Sequence, residues 1–235
     1  MKRLALILFI CATTTMVSAQ DYLGVQLGFA QPVARLNTPT TKTSLLSTSY
    51  NGFKVGLVYD ATIVKGFGVS MALNYTFGNH TSAWKQIGEL PYPQERTTGQ
   101  YHQLEIPIDW QYKFEIAKRT WIILYTGPTL QCGLDLTSKL YKTNNGKEII
   151  LEKDNSFYAE DMKDKELKRI NVTWGLGAGF QYDRYFLRGG YDFGLINPYK
   201  ASQFDYTDTN GGNPRTRGRF DQWQIKLGVY FWQSK

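Results

Sequence analysis

Residues 170–182 read INVTWGLGAGFQY, and that stretch decides the fold. Ile170, Val172, Trp174, Leu176, Phe180 and Tyr182, with the small Ala178 among them, occupy the even positions; Asn171, Thr173, Gly175, Gly177, Gly179 and Gln181 occupy the odd ones. Side chains of an extended chain point alternately to two faces, so this is a strand with one greasy face and one small, polar face. The glycines of GLGAG are not a dinucleotide fingerprint, because the alternation runs straight through them and no crossover helix follows.

The same two-residue rhythm occurs seven more times. Apolar rows run through Leu23, Val25, Leu27 and Phe29; Phe53, Val55, Leu57 and Tyr59; Phe67, Val69, Met71, Leu73, Tyr75 and Phe77; and Leu104, Ile106, Ile108, Trp110, Tyr112 and Phe114. A less regular segment has Ile122, Leu124, Leu130, Leu134 and Leu136, with Pro128 as an irregularity. The last two carry Tyr185, Leu187, Tyr191, Phe193 and Leu195, then Trp223, Ile225, Leu227, Val229 and Phe231. Each segment is close to the ~9–11 residues of a tilted transmembrane strand.

The connections alternate in length. Long polar stretches lie near 30–51, 78–100, 137–169 and 196–220, and short links lie at Asp60 to Gly66, Glu115 to Thr120, and Asp183 with Arg184. Long loops on one rim and tight turns on the other characterise an outer-membrane barrel, whose turns face the periplasm. The expected fold is all-β: an eight-stranded antiparallel up-and-down transmembrane barrel.

A soluble barrel also has an apolar face, turned inward, and volume separates the two cases. About forty bulky apolar residues sit on the greasy rows, whereas an eight-stranded interior is only just wide enough for its own side chains. They must face lipid. The opposite rows are rich in glycine and also carry Lys54, Glu105, Asp109, Lys113, Arg188, Asp192 and Lys226. Four cations and three anions facing a narrow bore are expected to pair across it and plug it.

Residues 1–19 read as a signal peptide: Lys2 and Arg3, an apolar run from Leu4 to Ala12, then Val17, Ser18 and Ala19 before the expected cleavage point, leaving a barrel domain over 20–235. Removing Lys2 and Arg3 takes the formal charge from +7 to +5. That mild basicity is scattered among acids, which argues against nucleic acid as a partner. Beyond the leader only Cys132 remains, which excludes a disulfide framework or thiolate cluster, and two histidines supply a metal poorly. No catalytic residue, cofactor or metal is expected.

The stretches YHQLEIPIDWQYKF, YTGPTL, WGLGAGFQYDRYFLRGGYDFGLINP and IKLGVYFW resemble the outer membrane protein β-barrel domain of the PorT type, found in Gram-negative bacteria. The resemblance covers essentially all of the chain after the leader. It implies residence in the cell outer membrane, contact with outer-membrane lipids and lipopolysaccharide, and a role at the surface, in envelope structure or in support of a protein secretion assembly with its surface proteins. Phe231 and Trp232 are similar to the terminal aromatic that the barrel assembly machinery recognises, although Gln233, Ser234 and Lys235 follow them.

Three features stand outside strand grammar. His102, at the loop-side start of the fourth strand, is where a membrane-embedded lipid or peptide hydrolase would place a base, the competing reading. Arg215, Arg217 and Arg219 are candidates for lipid A phosphate or acidic glycan, since guanidinium pairs bidentately with phosphate. The stretch 137–169 is a long exposed loop with eight basic and seven acidic residues, and its ion-pair-rich part DNSFYAEDMKDKELKR, residues 154–169, is expected to form a short helix or a solvated cap. A small diffusion pore is the third reading, disfavoured by the charged bore.

Overall fold

The computed structural model describes residues 20–37, 48–86, 94–144, 147–156, 168–198 and 217–234. The leader and its cleavage point lie outside them. Eleven strands form: β1 (Gln20–Asn37), β2 (Thr48–Ser49), β3 (Asn51–Val64), β4 (Phe67–Thr81), β5 (Lys85–Gln86), β6 (Gln94–Ala117), β7 (Thr120–Asn144), β8 (Lys147–Ser156), β9 (Ile170–Tyr182), β10 (Tyr185–Gly194) and β11 (Arg217–Gln233).

Eight of these close a ring. The antiparallel order β1-β3-β4-β6-β7-β9-β10-β11 returns to β1, because β1 pairs with both β3 and β11. Closure satisfies every edge in a medium without water. Following paired residues around the ring from Gln181 through Phe186, Gly228, Gln26, Gly56, Asn74, Glu105 and Gln131 leads back to Asn171 on β9. The start and end differ by 181 − 171 = 10 residues, a stagger that requires tilted strands, typically ~35–45° from the barrel axis.

Two of the three tight turns are shorter than the sequence suggests, and the third is as expected. The three occupy Lys65 with Gly66, Lys118 with Arg119, and Asp183 with Arg184, with positive φ at Lys65, Gly66, Arg119 and Asp183. At Gly66 the requirement is also spatial, since an added Cβ would stand 2.3 Å from the Lys113 carbonyl oxygen. Asp60, which the sequence places in a link, is therefore the fifth inward residue of β3.

On the opposite rim the strands outrun the membrane. β6 and β7 remain paired out to Gln94 and Thr143, flanked by β5 and β8, so a four-stranded ribbon rises from the barrel where long loops are expected. Arg96 stacks over Trp84 and Tyr141, 4.6 and 5.2 Å from their ring centroids, and Lys142 pairs with Glu95 at 3.7 Å. Lys147–Ser156, part of a stretch the sequence reads as a loop, is thus a strand, and of the segment 154–169 read as a helix or a cap, residues 157–167 lie outside the described residues.

One register irregularity reverses a face. In the β6–β7 ladder His102 pairs with Asp135 but Gln103 with Gly133, leaving Leu134 as a bulge. A bulge shifts parity by one residue. Leu134 remains exposed, whereas Leu136, expected on the greasy row, is buried against Tyr101.

The lipid face is where the apolar rows lie: Val25, Leu57, Leu73, Ile108, Leu124, Leu176 and Leu227 are all exposed, Leu227 at 61 %. Aromatic side chains mark both ends of that face. Phe67, Tyr112, Phe114, Tyr182, Tyr185 and Phe231 lie toward the short turns, and Phe53, Phe77, Phe193 and Trp223 toward the opposite rim. Such girdles sit at membrane–water interfaces.

The bore and its buried charges

Every charge on the inward rows is buried. Lys54, Glu105, Asp109, Lys113, Arg188, Asp192 and Lys226 are each at most 8 % exposed, and the structure adds Asp60 and Asp221, both at 0 %. Local alternation puts them inside; the stagger of the ring decides which of them meet.

The largest cluster lies toward the periplasmic end. Arg188 on β10 reaches across to β3 and β4, with Nη2 donating to Asp60 Oδ2 at 2.5 Å and Nη1 to Ser70 Oγ at 2.8 Å. It also reaches Gln111 Oε1 at 3.1 Å and Tyr230 Oη at 3.2 Å. Lys113 Nζ lies 3.3 Å from Asp60 Oδ2 and donates to Gln181 Oε1 at 3.0 Å. Tyr230 Oη donates to the same carboxylate oxygen. One carboxylate therefore holds two cations and a phenol, which is how a buried anion and its partners offset their desolvation.

Farther toward the outside, Lys54 donates to Glu105 and, at 2.6 Å, to Gln224 Oε1. Thr76 Oγ1 donates to Glu105 at 2.9 Å, and Gln224 Nε2 donates to Asp192 at 2.9 Å. Gln26 Nε2 donates to Asn74 Oδ1 at 2.6 Å, and Asn171 Nδ2 to Gln131 Oε1 at 2.8 Å. Asp109 and Lys226 stand apart from this pairing: neither has a hydrogen bond or ion pair among the described residues, and Lys226 Nζ lies 5.8 Å from the Tyr125 ring centroid.

Glycine makes room for this filling. A Cβ at Gly78 would meet Tyr101 Cε1 at 1.9 Å, one at Gly177 would meet Tyr125 Cζ at 2.2 Å, and one at Gly228 would meet Phe186 Cζ at 2.2 Å. The small residues of the polar rows are thus floors beneath large inward side chains. Tyr22, Phe186 and Tyr230 form an aromatic layer beside the Arg188 cluster, with ring centroids 5.0 Å apart for Tyr22 and Tyr230 and 4.7 Å apart for Phe186 and Tyr230.

Reading the polar rows for charge alone misses Asp60, Phe186 and Tyr230. Extending the β3 alternation by one step beyond Val58 would have reached Asp60. Nothing in the alternation marks an inward aromatic except its parity.

The remaining candidates lie outside the bore. His102 is on the outer wall; its Nδ1 lies 2.5 Å from Tyr75 Oη and its ring 5.0 Å from that of Phe77. The ladder sets Asp135 opposite it, but its hydrogen-bond partner is the phenol. Arg219 is exposed at the extracellular end of β11 and pairs with Asp221 at 3.0 Å. Arg217 begins β11, and Arg215 lies outside the described residues.

Comparison with known proteins matches residues 18–199 to the family described as outer membrane protein beta-barrel domain. Among solved structures, the attachment invasion locus protein Ail of Yersinia pestis is 12 % identical, with a TM-score of 0.38, covering 92 % of this chain and 100 % of that one. Neisserial surface protein A is 12 % identical with a TM-score of 0.32, covering 88 % and 97 %. The N-terminal barrel domain of Pseudomonas aeruginosa OprF is 10 % identical with a TM-score of 0.27, covering 87 % and 97 %. No curated protein matches by sequence. With most of its length matched, a closed eight-stranded ring and a greasy outer wall, the chain belongs to the outer membrane protein β-barrel domain family and resides in the outer membrane.

Proposed function

We propose that this barrel is a plugged, non-enzymatic protein of the PorT type that acts through its extracellular ribbon and loops, in surface binding, envelope structure or support of a protein secretion assembly. The observation that carries the reading is the Arg188–Asp60 bond across the bore, reinforced by Lys54 with Glu105, so that side chains from non-adjacent strands bond to one another inside it. Transport is a poor use of a bore so filled. The ribbon, with Arg96 clamped by Trp84 and Tyr141, is a rigid extramembrane surface for a protein partner.

Two subsidiary contacts accompany it. Arg215, Arg217 and Arg219 engage phosphate or acidic sugar of lipopolysaccharide, and exposed Phe231 and Trp232 at the periplasmic end of β11 engage the barrel assembly machinery during insertion.

Single-channel recordings in planar bilayers test the plug: the expected trace has no steady conductance, and sustained conductance by the wild-type protein overturns it. Cross-linking in intact cells through residues of the ribbon, with identification of attached proteins, tests the partner. Substitution of His102 with unchanged lipid A composition fits the non-enzymatic reading; loss of a lipid modification favours the hydrolase.

A further inference from the structure

At the periplasmic mouth of the barrel, the end away from the ribbon, a cavity of about 470 Å³ is lined by residues of β1, β3, β6, β7 and β9 and by the β3–β4 turn. Exposed Gln20, Lys65 and Glu115 stand at its rim. The volume falls within the ~300–1,000 Å³ of ligand pockets and exceeds what a bare ion needs.

The ladder builds two facing walls. On one, Glu115 pairs with Trp121 and Trp121 with Gln181, while Lys113 lies one inward step deeper on β6. On the other, Gln20 pairs with Thr62, and Tyr22 with Asp60. The turn at Lys65 and Gly66 ends level with Lys113, whose amide donates to the Gly66 carbonyl at 2.8 Å, whereas β6 continues to Ala117. The recess is therefore backed by a projecting hairpin.

Lys113 forms its floor. The side chain is buried, with Nζ donating to Gln181 Oε1 at 3.0 Å and lying 3.3 Å from Asp60 Oδ2 and 4.7 Å from the Tyr22 ring centroid. Asp60 is shared, because Arg188 and Tyr230 hold the same oxygen. Gln181 is neutral and gives its own amide hydrogen to the Asp183 carbonyl at 3.0 Å. An ammonium has three donors, and among the described residues the third of Lys113 meets no acceptor. A buried cation with a divided counter-charge and an unused donor thus faces the recess.

The remaining lining narrows the class of anion. Glu115 repels a dianion such as phosphate more strongly than a singly charged carboxylate. Tyr22 and Trp121 supply ring faces, and Gln20 and Thr62 supply an amide and a hydroxyl, which donate and accept as a peptide unit does.

We propose that this recess binds the carboxylate end of a peptide from the periplasm, with the carboxylate on Lys113 and the preceding peptide units between the Trp121 and Tyr22 walls. A protein C-terminus and a cell-wall stem peptide carry the same group, and either can be its source. The site stands whether or not the ribbon binds a protein.

The test uses the full-length barrel in detergent micelles and tri-alanine as the probe, with Kd read from titration of the peptide methyl signals by NMR. Saturable binding is expected. Amidation of the peptide C-terminus and Lys113→Gln should each weaken it by about tenfold, the worth of one charge-assisted hydrogen bond, and the variant should no longer distinguish acid from amide. Thr62→Trp, which fills the mouth and leaves the Arg188–Asp60 layer untouched, should abolish binding, and together with the amide it decides the matter if Lys113→Gln does not fold. No saturable binding of the free acid, equal binding of the amide, full binding by Thr62→Trp, or galacturonic acid binding as tightly as the peptide overturns the site. A stem peptide ending in D-alanyl-D-alanine is titrated alongside, and tighter binding of either peptide supports the site and names its source.

Discussion

Arg188 and Asp60, 128 positions apart in sequence, are bonded across the barrel at 2.5 Å with almost no exposure to water. No other carboxylate lies within ion-pair distance of Arg188 among the described residues, and Lys113 leans on the same Asp60 oxygen. This single anion is the electrostatic keystone of the periplasmic half of the bore.

Asp60→Asn leaves Arg188 and Lys113 buried without their counter-charge. Breaking a buried pair from one side costs about 3–5 kcal/mol. Asp109→Asn removes a carboxylate with no bonded partner and is expected to cost far less. Urea unfolding of both variants in lipid, compared at equal protein-to-lipid ratio, decides the matter; equal losses would remove the special place of Asp60.

Gly78→Ala should destabilise by about 1–3 kcal/mol, the usual penalty of overpacking, because the nearest atoms to the added methyl all belong to the Tyr101 ring. In a Tyr101→Ala background most of that penalty should vanish. A double-mutant cycle showing simple additivity would mean the ring is not the obstacle.

Leu227→Lys places a charge on the lipid face within the apolar band, with an expected cost of about 2–4 kcal/mol, while Leu195→Lys near the extracellular rim should cost about 0–1. Refolding equilibria into vesicles measure both. Equal costs at the two depths would contradict the membrane placement of these rows.

The bulge at Leu134 predicts opposite labelling of neighbours on one row. With Cys132 replaced by serine, Leu134→Cys should react readily with a thiol reagent from the outside of the wall and Leu136→Cys should be slow, because the former is exposed and the latter packs on Tyr101. Similar rates would place both on one face.

The greasy rows, the inward charges and the alternation of long and short connections were legible in the sequence because each depends on parity or on local composition. Leu136 was misassigned because a one-residue bulge leaves no signature in an already irregular row. Lys147–Ser156 was read as part of a loop because its charges obscure alternation, and only pairing with β7 makes it a strand. Asp60 was lost at a boundary: a charged residue beside a turn looks like the turn.

What the amino-acid order by itself determined is which side of the wall each residue takes, since a pleated chain turns every second side chain the same way, and that a chain with so many outward hydrocarbons must be solvated by lipid. Which inward residues touch was decided only by the closed ring. Its ten-residue stagger rotates each strand against its neighbours, and this brings Arg188 to Asp60 and Lys54 to Glu105. No spacing along one strand encodes a partner on the far wall, because that distance is set by tilt and closure.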